Sequence, residues 1–213
     1  MKKIILNIFL LVVTSFSSEM EEEREQRLQE RYNHYSDDEN TEVKGISSEN
    51  ITETENGTLI ISNERVYGED VSIKTGNNIH KVIIKNLKIR TNGRSQIVED
   101  SSTAALNIDT DDNTELDIND VDIDTNSEIR TIVSSKSEVC AGALCIQSGE
   151  NSEINIDSLS ISTSDSHYSS TSNSKNTGKS CAGSLCIQSD NSDIGINDYV
   201  LESDSLNSYR ANK

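Results

Sequence analysis

The chain has 213 residues, with 37 acidic against 19 basic side chains and a formal charge of −18, a balance that repels nucleic acid and anionic membrane surfaces. The length suits one domain, and beyond the amino terminus no apolar run is long enough to cross a bilayer. Proline and tryptophan are missing while Ser, Asn, Asp and Ile abound, a composition that suits disorder only if the isoleucines are scattered. They recur instead with a period.

The opening "MKKIILNIFLLVVTSFSSEM" places two lysines before an apolar run and then small residues, the layout of a secretory signal peptide over residues 1–17. Cleavage after Ser17 leaves Ser15 and Ser17 at the small-residue positions, with Ser18 as the alternative site. The mature chain is then secreted, extracellular or at the cell surface or wall, with no membrane span remaining after cleavage, and its four cysteines can oxidise.

Residues 18–57 read as an acidic leader. Within "SEMEEEREQRLQERYNHY", Ser18 and Glu21 fit a capping box, Glu23 and Arg27 pair at helical spacing, and Leu28, Tyr32 and Tyr35 share a face. The segment is either a short helix capping the element that follows or a disordered leader. Asn50 in "NIT" and Asn56 in "NGT" are glycosylation acceptors if the source is eukaryotic.

From Thr58 to Ser203 one pattern repeats: "TLIISNERV", "KVIIKNLKIRTN", "ELDINDVDIDTN", "EINIDSLSISTS" and "DIGINDYVLESD". Leu59, Val82, Leu116, Ile154 and Ile194 form one apolar column, and Ile61, Ile84, Ile118, Ile156 and Ile196 the next. Two more run Leu87, Val121, Leu159, Tyr199 and Ile89, Ile123, Ile161, Leu201. The alternation is that of strands with one buried face. The third column, however, lies three residues after the second, so a straight strand would put Leu159 on the wrong face and the chain must bend. Asn86, Asp120, Ser158 and Asp198 stand at the bend, residue types that tolerate left-handed backbone.

A further strand precedes each bent pair: "DVSIKT", "ALNIDT", "ALCIQS" and "SLCIQS". Its inward residues are Val71 and Ile73, Leu106 and Ile108, Leu144 and Ile146, and Leu185 and Ile187. Three short strands per repeat, each unable to bury its face alone, predict an all-β chain: a single-stranded parallel β-helix, or solenoid, of four to five stacked coils over 58–203. From Leu59 to Val82 is 23 residues, and the later intervals to Leu116, Ile154 and Ile194 are 34, 38 and 40. The excess is read as solvent-facing loops such as "STSDSHYSSTSNSKNTGKS". Residues 204–213 are read as a C-terminal tail, a meagre cover for the last coil.

The coil pattern "ALCIQSGENSEINIDSLSIST" and its relatives resemble right-handed parallel β-helix proteins, especially autotransporter passenger regions and pectin-lyase-like surface proteins. The resemblance covers about Thr58 to Ser203 and implies an elongated secreted β-helix with a right-handed coil. It specifies no activity, since one fold carries many functions. No membrane barrel follows the last coil, so the autotransporter route of secretion is not expected.

Cys140 and Cys145 recur as Cys181 and Cys186, each pair flanking a small corner, "CAGALC" and "CAGSLC". Cys145 alternates with the inward Leu144 and Ile146 and is expected to face outward, stacked under Cys186. Three arrangements are open: cross-coil disulfides, which are favoured because neighbouring parallel strands lie about 4.8 Å apart; tight rings of Cys140 with Cys145 and Cys181 with Cys186; or a reduced chain. The strand pattern is expected to scatter these sulfurs too widely for zinc.

In "DTDDNTELDIND", Asp109, Asp111 and Asn113 are weak calcium candidates at the alternating spacing of an EF-hand loop, but Thr114 stands where that loop needs glycine, and a solvated acidic turn is favoured. His34, His80 and His167 lie far apart, and no cofactor is expected. Lys85, Lys88 and Arg90 project outward, either to grip an acidic polysaccharide or to protect a strand edge. Glycoside cleavage needs two spaced carboxylates, and no pair stands out among so many. The expected function is a non-enzymatic structural or adhesive surface, wall or matrix protein, presenting polar loops and self-associating through its ends or binding wall polysaccharide or a surface protein. The alternatives are a carbohydrate-binding or carbohydrate-cleaving β-helix and a soluble secreted effector.

Overall fold

The computed structural model describes residues 41–99, 102–133, 139–164, 166–172, 180–203 and 206–211. The expected signal peptide, the part of the expected leader up to residue 40, and His34 lie outside these residues. The described chain is all-β with mostly parallel strands; its single helical turn, Ser48–Asn50, is of the 3-10 type.

Two sheets share the chain. The first runs β1 (Glu42–Lys44), β4 (Val71–Lys74), β6 (Thr103–Thr110), β8 (Val139–Ser148) and β11 (Ser180–Ser189). The second runs β2 (Ile51–Glu53), β3 (Thr58–Tyr67), β5 (Lys81–Glu99), β7 (Glu115–Val133), β9 (Glu153–Thr163) and β12 (Asp193–Ser203). From β3 to β9 the chain passes between the sheets in alternation, and each of these strands pairs in parallel with its counterpart one pass later. Leu59 lies opposite Val82, Val82 opposite Leu116, Leu116 opposite Ile154 and Ile154 opposite Ile194, the order of the sequence columns.

One apolar cluster fills the space between the sheets. The column residues of β3, β5, β7 and β9 and the inward residues of β4, β6 and β8 are all buried. Each such Ile, Leu or Val contributes about 1.5–3 kcal/mol by leaving water. The bend is also where the spacing puts it. Asn86, Asp120, Ser158 and Asp198 have φ of 52°, 52°, 56° and 46°, and Asn63 joins them at 60°. Their left-handed backbone rotates the strand so that residues three apart face inward together. Side chains reinforce the stack, as the Asn86 amide donates to Asn63 Oδ1 at 2.7 Å.

Three expectations need correction. Residues 41–57 do not all belong to a leader: β1 and β2 pair antiparallel with β4 and β3, burying Val43, Ile46 and Ile51 against the first pass. The long "STSDSHYSSTSNSKNTGKS" stretch is not wholly a solvent loop, because His167–Ser172 forms β10, which pairs in parallel with Glu128–Val133 of β7 and buries Tyr168. From the residues read as tail, Leu206–Ala211 forms β13 and pairs with β10. For β1 and β2 the reason is the burial of Val43, Ile46 and Ile51; the other two corrections share one reason. An added strand stacks on an added strand, so a polar sequence gains ladder hydrogen bonds wherever the pass before it carries the same extension.

Buried hydroxyls follow the last apolar column, where Thr91 Oγ1 donates to Thr125 Oγ1 at 2.7 Å and the Thr125 and Ser127 hydroxyls are hydrogen-bonded at 2.8 Å. Thr163 Oγ1 donates to Ser203 Oγ at 3.0 Å. These partners let hydroxyls replace aliphatic groups inside without the penalty of an unmade bond. Burial pushes the Tyr168 phenol up, with Ser166 and Thr125 beside it working the other way.

Candidate functional site

Two regions combine unusual chemistry with a defined geometry: the cysteine corner of β8 and β11, and the last pass. In the corner, Cys140 bonds to Cys145 and Cys181 to Cys186, each with Cα atoms 6.0 Å apart. The favoured cross-coil pairing is therefore corrected to tight rings. The stacking behind it holds, as Cys140 lies opposite Cys181 and Cys145 opposite Cys186. What selects the ring is a bend: five extended residues would span about 16 Å, so the chain folds sharply at Ala141, Gly142 and Ala143.

Gly142 has no room for a side chain. A Cβ there would lie 2.3 Å from the backbone oxygen of Gly183 in the pass above. Gly183 itself carries no further pass and would meet nothing closer than Leu185 O at 3.8 Å. The sulfurs stand apart from the main core, as the outward reading of Cys145 requires, but they are not solvent-facing. Cys140, Cys145 and Cys186 pack with Ala104 in a buried cluster of their own, with Cys181 half-buried beside them.

The calcium candidates Asp109, Asp111 and Asn113 lie at the end of β6 and in the turn that follows it. Among the described residues no group of three or more His, Cys, Asp or Glu side chains is placed to hold a metal ion. Asp109 sits in β6, where burial raises its carboxyl pKa above the ordinary value, Lys74 opposing and Asp111 adding to the rise. Asp111, Asp112 and Asn113 form the turn between β6 and β7, and that turn is committed to its neighbour. Asp112 Oδ1 accepts from Glu150 N at 2.7 Å, Asn113 N donates to Glu150 O at 2.9 Å, and Thr114 Oγ1 donates to Asp111 O at 2.8 Å. The carboxylate thus fastens one turn to the next.

His80 and His167 belong to different passes and do not meet; His167 approaches Glu128 at 4.0 Å. Lys85 and Arg90 are exposed and Lys88 half-exposed, all outward as expected. Lys81 pairs with Glu115 at 2.5 Å and Asp117 at 2.9 Å, and these hydrogen-bonded carboxylates raise its pKa. Asn50 donates its side-chain amide to Glu64 Oε2 at 2.9 Å, whereas Asn56 is exposed in the turn between β2 and β3.

The last pass breaks the burial pattern. Ile194, Tyr199 and Leu201 are 48%, 56% and 42% exposed, although Ile154, Leu159 and Ile161, their partners in β9, are at most 1% exposed. Val200 is exposed on the opposite face of the same strand, and Leu185, Ile187 and Ile196 are only partly buried. Among the described residues, an apolar surface and a strand edge with no further partner coincide there. The first pass, by contrast, is covered by the antiparallel β1 and β2. Comparison with protein-family models, curated proteins and solved structures finds no match to this chain.

Proposed function

We propose that the chain is a secreted, non-enzymatic β-solenoid that acts as a structural or adhesive component of a surface, wall or matrix, and that it assembles through its last coil. The observation that carries this reading is the exposed column of Ile194, Tyr199 and Leu201 on an unpaired edge. Monomers guard such edges, since they template pairing with another chain. Covering this one would extend a core already continuous through the preceding coils. The two disulfides are consistent with an oxidising, extracellular setting.

A second reading, recognition of an acidic polysaccharide, draws on the exposed Arg65, Lys85 and Arg90 beside Tyr67, which is 59% exposed. Fractionation of native cells separates the two. Recovery in an insoluble wall or matrix fraction supports the assembly reading, and a freely soluble monomer that binds or turns over polysaccharide overturns it.

A further inference from the structure

We infer that the exposed last pass is the contact of a closed two-fold dimer, in which β12 pairs antiparallel with β12 of a second copy of this chain. The inference rests on the assembly reading above and names its partner and register. Among the described residues, the exposed large hydrophobic side chains are Tyr67, Ile194, Tyr199, Val200 and Leu201, four of the five on β12. Among those residues β12 also ends its sheet, with β9 on its other edge. At the opposite end of the stack, Val43, Ile46 and Ile51 are buried where the antiparallel β1 and β2 close the first pass. The apolar column of that pass already has its cover, which disfavours a head-to-tail contact. The surface that matches β12 is β12 itself.

Two copies of one strand edge can meet with their apolar faces on the same side only if the strands run in opposite directions about a two-fold axis. The column spacing must then read the same in both directions. It does: the inward positions of β12 are Ile194, Ile196, Tyr199 and Leu201, with steps of two, three and two. Pairing about the point between Asn197 and Asp198 sets Ile194 opposite Leu201 and Ile196 opposite Tyr199, each contact occurring twice. The bend lies at that point, with Asp198 at a φ of 46°, so the two bent strands nest corner on corner. On the outward face the same register lays Val200, 53% exposed, against Gly195 of the second copy, which has no side chain to obstruct it. The pairing continues the core built by the earlier passes and closes it, leaving no edge for a third copy.

One contact in this register is unfavourable. Asp193 lies opposite Glu202, both exposed, and the two-fold axis repeats the pair; like charges directly opposite one another destabilise a ladder. These four carboxylates add to the repulsion between chains of formal charge −18, and salt relieves both. They also make the register measurable, because reversing the sign of one residue converts both repulsions into attractions.

The test is sedimentation velocity of the disulfide-bonded protein over a concentration series, with E202K, D193K and D193K/E202K alongside at the same ionic strength. Both side chains are exposed, so the variants should keep the parent's circular dichroism. The expected result is a monomer–dimer equilibrium with no larger species, tightened about tenfold by E202K and by D193K alike. D193K/E202K restores like charges at both contacts and should bring the dissociation constant back to about the parent's. General relief of acidic charge predicts the opposite order, with the double variant the tightest of the series. That order, growth beyond the dimer, or single variants that bind no tighter than the parent would each overturn the inference. Larger species that are lost in Y199S/L201S would overturn the dimer while leaving assembly through the last coil standing. A parent that stays monomeric at every concentration, in high salt as in low, would overturn both.

Discussion

Tyr199 lies directly opposite Leu159 in the ladder between β12 and β9, yet Tyr199 is 56% exposed and Leu159 1%. The two residues hold the same place in the repeat, and the difference between them is the presence of another pass above. Leu159 is covered by β12, and no strand among the described residues covers Tyr199. If that surface drives assembly, replacing Tyr199 and Leu201 by serine should cost the folded chain only about 1.5–3 kcal/mol, because each side chain is already about half in water. Association should be lost. Sedimentation velocity at rising salt checks this, since screening the acidic self-repulsion promotes association of the parent and not of the variant. Equal association of both chains would place the contact elsewhere.

The register itself is testable at adjacent residues. Ile156 is 1% exposed inside the stack, and Asn155 points outward, where its amide donates to Asp117 and Glu153. Ile156→Asp buries a charge with no partner, and a cost of about 3–5 kcal/mol should abolish cooperative unfolding. Asn155→Asp places a carboxylate beside two others at the surface and should cost no more than about 1 kcal/mol. Chemical denaturation of both variants measures the contrast.

The apolar columns and the bend were legible because their signals are strictly local. A three-residue step between inward positions permits few backbones, and Asn, Asp or Ser at the step names the left-handed one. The extra strands were harder to see. Thr91, Thr125, Thr163 and Ser203 continue the alternation two residues past Ile89, Ile123, Ile161 and Leu201, but hydroxyls read as surface until a neighbouring hydroxyl is known to meet them. β10 is harder still: "HYSSTS" has one large apolar group, and its strand is specified by the strand below it rather than by its own composition. The cysteine pairing hung on the sharpness of one bend, which "CAG" allows and does not fix. The candidate assembly surface was legible only in part. The column residues Ile194, Tyr199 and Leu201 could be named from spacing, but their exposure is a property of what does not cover them.

Glycine at the cysteine corner offers a matched pair. Gly142→Ala forces a methyl to within 2.3 Å of the Gly183 carbonyl, so one backbone must shift, while Gly183→Ala meets only an ordinary contact at 3.8 Å. The first substitution should cost about 1–3 kcal/mol and the second no more than about 0.5 kcal/mol. Urea unfolding of the two variants under non-reducing conditions would show the asymmetry. Equal losses would mean that β11 does not stack on β8 at that point.

Glu64 ties the amino-terminal cover to the first pass, and its ionisation sets a pH limit on that tie. Burial pushes its carboxyl pKa up, but the hydrogen bonds from the Asn50 amide and the Ser47 and Arg65 backbone outweigh burial and hold it below the ordinary 4.5. A depressed carboxyl pKa contributes stability that is fully present above pH 4.5 and is lost as the pH falls through the lower, folded-state value. Protonation leaves Ser47 N at 3.0 Å and Asn50 Nδ2 at 2.9 Å facing a weaker acceptor. Amide hydrogen exchange in β1 and β2 should therefore quicken in the parent as pH falls below 4.5, once intrinsic exchange rates are divided out. Glu64→Gln, neutral throughout, should exchange faster at pH 7 and show no corresponding step. A step of equal size in both proteins would assign the acid sensitivity to other carboxylates.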